Sequence, residues 1–206
     1  IAYDSRLAKY DILGSIAHAH MLGKQGIIPP KEANTIIKGL KSILGVVESG
    51  KFKFDSAAED IHSNIQELLV KRIGKSANKL HTARSRNDQI ALDVKMYLKD
   101  EISNLSGLIK LLQKAIVNFA KANKNIIIPS YTHLQVAQCA LLAHHLLAYV
   151  EALERDKERL MDAHKRVDVM PLGACALTGT GLPIDRDQVK KSLGFKKLTE
   201  NSIDSV

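Results

Sequence analysis

The sequence is poor in several features that would identify its class at once. It has no tryptophan, five tyrosines and four phenylalanines, so few side chains could stack on nucleic-acid bases. Its two cysteines, Cys139 and Cys175, are too few for a disulfide framework, and we expect both to be reduced thiols. No uncharged apolar run reaches about 18 residues, so we predict no membrane-spanning helix. The charged first residues lack a secretory signal, and together these absences favour a cytoplasmic protein.

The distribution of basic residues gives no specific sign of a nucleic-acid partner. The 206 residues carry +8, and the whole excess lies in residues 1–150. The basic residues are scattered singly or in pairs, whereas nucleic-acid binders usually cluster them on one face. A solvated basic surface accounts for the excess, and a small anionic substrate suits it as well as a nucleic acid would. We therefore expect no nucleic acid and no membrane among the partners.

Helical periodicity runs through almost the whole sequence. We predict helices over residues 5–22, 31–48 and 60–73, each followed by a glycine stop signal. Much longer helices are predicted over residues 87–121 and 135–168. A helix of 35 residues would be about 52 Å long. No segment shows the alternation and turn partner expected of a β-hairpin.

Both long helices carry apolar seams in which the spacing alternates between four and three residues. The first seam comprises Leu98, Ile102, Leu105, Ile109, Leu112, Ile116 and Phe119. The second comprises Leu142, Leu146, Tyr149, Leu153, Leu160, Ala163 and Val167, with Asp156 as its only interruption. Such seams are typical of helices that pack lengthwise against other helices. Because a globule of this size cannot bury two such helices, we predict an oligomeric, all-α helix bundle.

A short segment before the first long helix is a candidate anion site. It contains Arg84, Ser85, Arg86 and Asn87, and the side chain of Asn87 is expected to cap the helix. A helix N-terminus attracts carboxylates and phosphates, and arginine side chains bind both with two parallel hydrogen bonds. The alternative is a capped helix with two solvated arginines.

A second segment places Thr132 and His133 at the predicted start of the other long helix. A histidine beside a hydroxyl group could act as a general acid or base. The alternative is a histidine that hydrogen-bonds to its own backbone turn. Residues 171–183 are rich in glycine and threonine and could present backbone N–H groups. No His, Cys or carboxylate set has the spacing of a metal site, so we assign no metal and no cofactor.

Taken together, these segments resemble argininosuccinate lyase, a member of the fumarase/aspartase superfamily. The matching stretches are residues 59–62, 79–89, 131–138 and 171–180, which occur in the family's order and spacing. The similarity covers the whole chain. The run from Arg84 to Gln89 is specific to this lyase, whereas the Thr-His pair is shared across the superfamily. Ala83 stands where the family usually has glycine, and Cys139 where it usually has proline.

The resemblance implies an enzyme of arginine biosynthesis that cleaves argininosuccinate to arginine and fumarate by anti β-elimination, without metal or cofactor. It implies that His133 is the catalytic acid or base. It also implies substrate-binding roles for the residues Ser85, Arg86, Asn87 and Thr132.

The resemblance further implies a fold of the fumarase/aspartase type in a cytoplasmic homotetramer. Residues 1–86 would form an N-terminal helical domain, and residues 87–206 the first long helices of the central bundle. The chain resembles only the N-terminal part of such an enzyme, without the serine loop that carries the other catalytic group. We therefore expect this piece to be inactive alone.

Two other functions stay open at this point. One is a different lyase of the superfamily, acting on adenylosuccinate, fumarate or aspartate, although Arg84 and Arg86 around Ser85 argue against it. The other is a non-catalytic, crystallin-like assembly protein built on the same bundle.

Overall fold

The computed structural model describes residues 3–55 and 57–206, and most of them are α-helical. The helices are α1 Ala8–Lys24, α2 Pro30–Glu48, α3 Ile61–Ile73, α4 Arg86–Ala122, α5 Leu142–Val167 and α6 Arg186–Ser192. Short 3-10 helices precede α1 at Asp4–Leu7 and follow α3 at Gly74–His81. The predicted all-α class is confirmed, and α1 to α4 lie within three residues of their predicted bounds.

A β-hairpin replaces the predicted beginning of the second long helix. Strand β1 Ile127–Thr132 pairs with antiparallel β2 Gln135–Leu141, and α5 begins only at Leu142. The prediction of a helix from residue 135, and of no hairpin, was wrong. Ile127, Ile128, Tyr131 and Thr132 favour a strand in β1. In β2 only Val136 does, so the strand state of β2 depends on its pairing with β1. A further short pair, β3 Val169–Met170 with β4 Lys197–Leu198, is parallel.

The chain divides into two compact units. The first contains the residues up to Leu98 together with Val167–Val206, and the second contains Lys99–Arg166. These units describe packing within this chain, whereas the predicted boundary at residue 86 concerns the domains of the whole protein and stays a prediction.

The core of the first unit lies between α1, α2 and α3. Ile36, Leu40 and Ile43 recur every three or four residues along α2, and all three are fully buried. Gly39 allows α2 to lie close to α3, because an added Cβ atom would be 2.7 Å from the Cδ1 atom of Leu69. The unit therefore has its own hydrophobic core, against which the start of α4 is fixed.

The apolar seams of the second unit remain largely uncovered within this chain. No residue of α5 is buried. On α4, the side chains of Leu105, Leu112 and Phe119 are 46%, 50% and 55% exposed. Gln113 joins the two helices, because its Nε2 atom donates to the Val150 carbonyl at 3.1 Å. Among the described residues, none of the helices is long and apolar enough to span a bilayer.

Candidate active site

The start of α4 is capped by Ser85. Its Oγ atom accepts a hydrogen bond from the backbone N–H of Asn87 at 3.3 Å, and its own N–H donates to Oδ1 of Asp88 at 2.9 Å. A serine followed three residues later by an acid that bonds back to the serine N–H resembles a capping box, although the Ser85 hydroxyl accepts from Asn87 and not from Asp88. The prediction that Asn87 caps the helix was therefore wrong, because the helix begins one residue earlier, at Arg86.

The side chain of Asn87 is instead exposed and linked to a distant loop. Its Nδ2 atom donates to the carbonyl oxygen of Ala176 at 2.8 Å. The glycine- and threonine-rich segment therefore lies directly beside the first turn of α4.

Asp88 forms the second link to that loop, and its role was missed from the sequence. Its carboxylate is fully buried, and Oδ2 accepts hydrogen bonds from the backbone N–H groups of Gly173 at 3.0 Å and Cys175 at 2.8 Å. The only signal in the sequence is its position three residues after Ser85, which predicts the cap but not the loop. Both cysteines are free thiols; Cys175 is buried, and Cys139 lies exposed on β2 rather than at a helix start.

The guanidinium group of Arg86 is held by neighbouring protein groups. Its Nε atom lies 3.2 Å from Oδ2 of Asp60, and Nη1 donates to Oε1 of Gln89 at 3.0 Å. Asp60 also caps α3 by accepting from the N–H of Ser63 at 2.6 Å. Burial alone would raise the pKa of Asp60. Hydrogen bonds from the backbone and side chain of Ser63, together with the charge of Arg86, lower it instead. Arg86 thus joins the starts of α3 and α4.

Arg84 faces the interior rather than solvent. Its Nη1 atom donates to Oγ of Ser15 at 2.8 Å, and burial lowers its pKa despite the opposing charges of Asp11 and Asp93. The side chain of Arg84 is therefore not the solvated arginine of the alternative interpretation. Its charge instead balances buried carboxylates.

Those carboxylates belong to a buried cluster of Asp11, His62 and Asp93. Nδ1 of His62 lies 3.2 Å from Oδ1 of Asp11 and 3.5 Å from Oδ2 of Asp93. Burial, reinforced by the charge of Asp11, raises the pKa of Asp93 well above its ordinary value. Burial alone would raise the pKa of Asp11. The hydrogen bond with His62 and the charge of His62 outweigh burial, so this pKa is lowered.

Three ligand atoms of this cluster lie within 4.8 Å of one another and could hold a metal ion. Gln89 donates to Asp11 and Arg84 supplies positive charge, but both carboxylate oxygens of Asp93 are buried without a hydrogen-bond partner among the described residues. The absence of a metal at this cluster therefore stays a prediction. The sequence could not reveal the cluster, because its members come from three different helices.

Thr132 and His133 lie at the end of the β1–β2 hairpin. Thr132 is paired with Gln135, and the two turn residues, His133 and Leu134, have φ values of 48° and 61°. Two positive φ values are typical of a type I′ turn, which normally contains asparagine or glycine. The expected helix-start position of His133 was therefore wrong. The imidazole is exposed on a tight, strained turn, and such strain is concentrated at functional sites.

The predicted site residues consequently form two groups. Ser85, Arg86 and Asn87 belong to the first unit, and Thr132 and His133 belong to the second. Their roles in binding and catalysis stay predictions.

A family model described as lyase matches residues 1–206, and the chain belongs to this lyase family. The argininosuccinate lyase of Pelotomaculum thermopropionicum is 55% identical over 206 residues, which are 100% of this chain and 45% of that protein. The chain thus spans less than half the length of this curated relative.

Solved structures agree with this assignment. An EDDS lyase variant with bound fumarate is 31% identical and has a TM-score of 0.84, with 98% of this chain and 40% of that chain covered. A fumarate lyase, delta crystallin from Brucella melitensis bound to cobalt, also has a TM-score of 0.84, and 100% of this chain and 50% of that chain are covered. It is only 18% identical, so it supports the fold alone.

Proposed function

We propose that the full-length protein is an argininosuccinate lyase, which cleaves argininosuccinate to arginine and fumarate. The observation that carries this proposal is the 55% identity to an argininosuccinate lyase along every part of this chain. The EDDS lyase structure is only 31% identical, so argininosuccinate is the favoured substrate. Segments beyond these 206 residues complete the site, and the chain alone is inactive.

The first turn of α4 is proposed to bind a carboxylate of the substrate. The positive end of the helix dipole favours negative charge there, although the N–H of Asn87 is already capped by Ser85. Ser85 and Asn87 contact the substrate, and Arg86 adds positive charge to the same turn while Asp60 holds its guanidinium group. Nδ2 of Asn87 is held by the Ala176 carbonyl, and its Oδ1 atom is proposed to accept from an N–H group of the substrate.

The hairpin turn is proposed to supply the acid–base group. Thr132 holds a carboxylate, and His133 transfers a proton during anti elimination. A base removes a proton from the carbon next to the carboxylate, which gives an aci-carboxylate. An acid then protonates the departing guanidinium nitrogen as the C–N bond breaks. Because negative charge gathers on one carboxylate, donors placed in advance lower the barrier.

A cytoplasmic homotetramer in arginine biosynthesis is proposed as the working form. The exposed apolar seam side chains of α4, such as Leu105 and Phe119, and the absence of a buried residue from α5 support this assembly. Contiguous apolar surface of this kind usually marks a protein interface. Sites would then be built from several subunits.

Replacement of His133 in the full-length protein tests the chemistry. We expect His133→Asn to lower kcat by about 10²–10⁴-fold, the usual contribution of a general acid or base. The melting temperature should not fall, because the imidazole is exposed and asparagine suits the positive φ of this turn position. His20→Asn, which replaces an exposed histidine of the first unit, is the matched control. Full turnover by His133→Asn would remove this histidine from the mechanism.

A further inference from the structure

We infer that Asp88 is a positioning residue of the proposed lyase site. Its buried carboxylate fixes the docked loop, residues 171–176, against the start of α4, and it thereby holds Asn87 in its substrate-facing orientation. This inference rests on the proposed function, in which Asn87 contacts substrate and Asp88 acts only through it.

The carboxylate of Asp88 gathers three backbone N–H groups from two distant parts of the chain. Oδ1 accepts from Ser85 at 2.9 Å, and Oδ2 accepts from Gly173 at 3.0 Å and Cys175 at 2.8 Å. Hydrogen bonds to an ionised acceptor are about twice as strong as neutral ones. One side chain therefore caps α4 and docks the loop at the same time.

The docked loop has a backbone shape that needs such support. The φ values of Gly173 and Cys175 are 100° and 55°, in the left-handed region that a cysteine adopts at a cost of roughly 1–2 kcal/mol. A Cβ atom at Gly173 would lie 2.9 Å from side-chain atoms of Arg186 and Ile184, so only glycine fits the close approach. The N–H bonds to Asp88, and the contact of Cys175 Sγ with the Ala83 carbonyl at 3.3 Å, hold this shape.

The docked loop also contacts Asn87. Ala176 follows Cys175, and its carbonyl oxygen accepts the hydrogen bond from Asn87 Nδ2 at 2.8 Å. Asn87 and Asp88 are adjacent in sequence, so two neighbouring side chains hold the two ends of the segment from Gly173 to Ala176. If Asp88 releases the loop, the Ala176 carbonyl moves and the amide of Asn87 loses its fixed orientation.

A double-mutant cycle on the full-length protein tests this relation. Asp88→Asn keeps the shape of the side chain but turns an amide NH2 group toward backbone donors. A misplaced substrate contact can cost up to about 10²-fold, so we expect kcat/KM for argininosuccinate to fall by about 10–100-fold. In an Asn87→Ala background the same change should cost less than about 3-fold, because coupled residues are not additive.

Asp185→Asn is the matched control. Asp185 caps α6 by accepting from Gln188 N–H at 2.8 Å, and asparagine caps as well as aspartate. It should leave kcat/KM unchanged. Equal losses for Asp88→Asn in both backgrounds would overturn the inference, because Asp88 would then act independently of Asn87.

Hydrogen exchange gives a second test that requires no substrate, and its decisive measurement is made on the unmodified protein. The amides of Gly173 and Cys175 should be strongly protected, and in Asp88→Asn they should exchange faster. Exchange of both amides in the unmodified protein at the rate of free loop amides would overturn the inference, even if Asp88→Asn does not fold. Protected amides in a protein without lyase activity would instead refute the proposed function and, with it, the catalytic consequence of Asp88.

Discussion

The buried histidine of α1 is expected to make the folded protein less stable in mild acid. His18 is 1% exposed, and its Nε2 atom donates to the Thr82 carbonyl at 2.9 Å. Burial, together with the nearby charge of Arg84, lowers the pKa of His18 from 6.5 to about 3. His18 therefore stays neutral in the folded protein over the pH range in which the same side chain binds a proton in the unfolded chain.

The size of the effect follows from proton linkage. Above pH 6.5 the imidazole is neutral in both states, and its contribution to stability is fully present. Below that pH only the unfolded chain takes up a proton, so stability falls by about 1.4 kcal/mol per pH unit until the folded pKa is reached. Between pH 6.5 and pH 5.0 the loss is about 2 kcal/mol, a large fraction of the stability of a typical domain.

The perturbation is His18→Gln, which keeps a donor for the Thr82 carbonyl and removes the titration. Free energies of unfolding would be measured by urea denaturation of the full-length protein between pH 5 and pH 8, at one protein concentration. His20→Gln, at an exposed histidine of the same helix, is the control. Below pH 6.5, the free energy of unfolding of His18→Gln should depend on pH less steeply than that of the unmodified protein, by about 1.4 kcal/mol per pH unit. The His20→Gln control should show no such change. Identical pH dependences for the His18 variant and the unmodified protein would refute the claim that His18 is buried and neutral in the folded state.

Two further predictions concern the backbone and the assembly. Ala83 has a φ of 54°, a left-handed conformation that is strained for alanine and not for glycine. Ala83→Gly should therefore raise the free energy of unfolding, measured by urea denaturation, by about 0.5–1 kcal/mol. A loss of stability would show that Ala83 is not strained. Leu105→Asp places a charge in the exposed seam of α4 and should reduce the mass seen by light scattering, whereas Asn104→Asp should not. An unchanged mass for Leu105→Asp would exclude this seam from the interface.

The helical parts of the fold could be predicted because their periodicity reports burial. Ile36, Leu40 and Ile43 recur on one face of α2, and that face is the core of the first unit. The hairpin could not be predicted in this way, because it has no buried face within the chain. Ile127 and Val136 are 68% and 70% exposed. The sequences of β1 and β2 show no regular alternation of apolar and polar residues, which is the signal that identifies a strand.

The candidate site was only partly accessible from the sequence for a different reason. Spacing places Ser85, Arg86 and Asn87 at a helix start, because capping is a local interaction. The inward direction of Arg84 and the docking of the loop by Asp88 depend on contacts between residues far apart in the chain. Local spacing carries no information about such contacts.

The most direct test is an assay of the purified full-length protein with argininosuccinate, in which fumarate and arginine are both quantified. Adenylosuccinate, aspartate and EDDS would be tested in parallel at the same concentration. We expect equal amounts of arginine and fumarate from argininosuccinate, and a much lower kcat/KM for the other three compounds. Rapid cleavage of one of those three, with none of argininosuccinate, would contradict the proposed function.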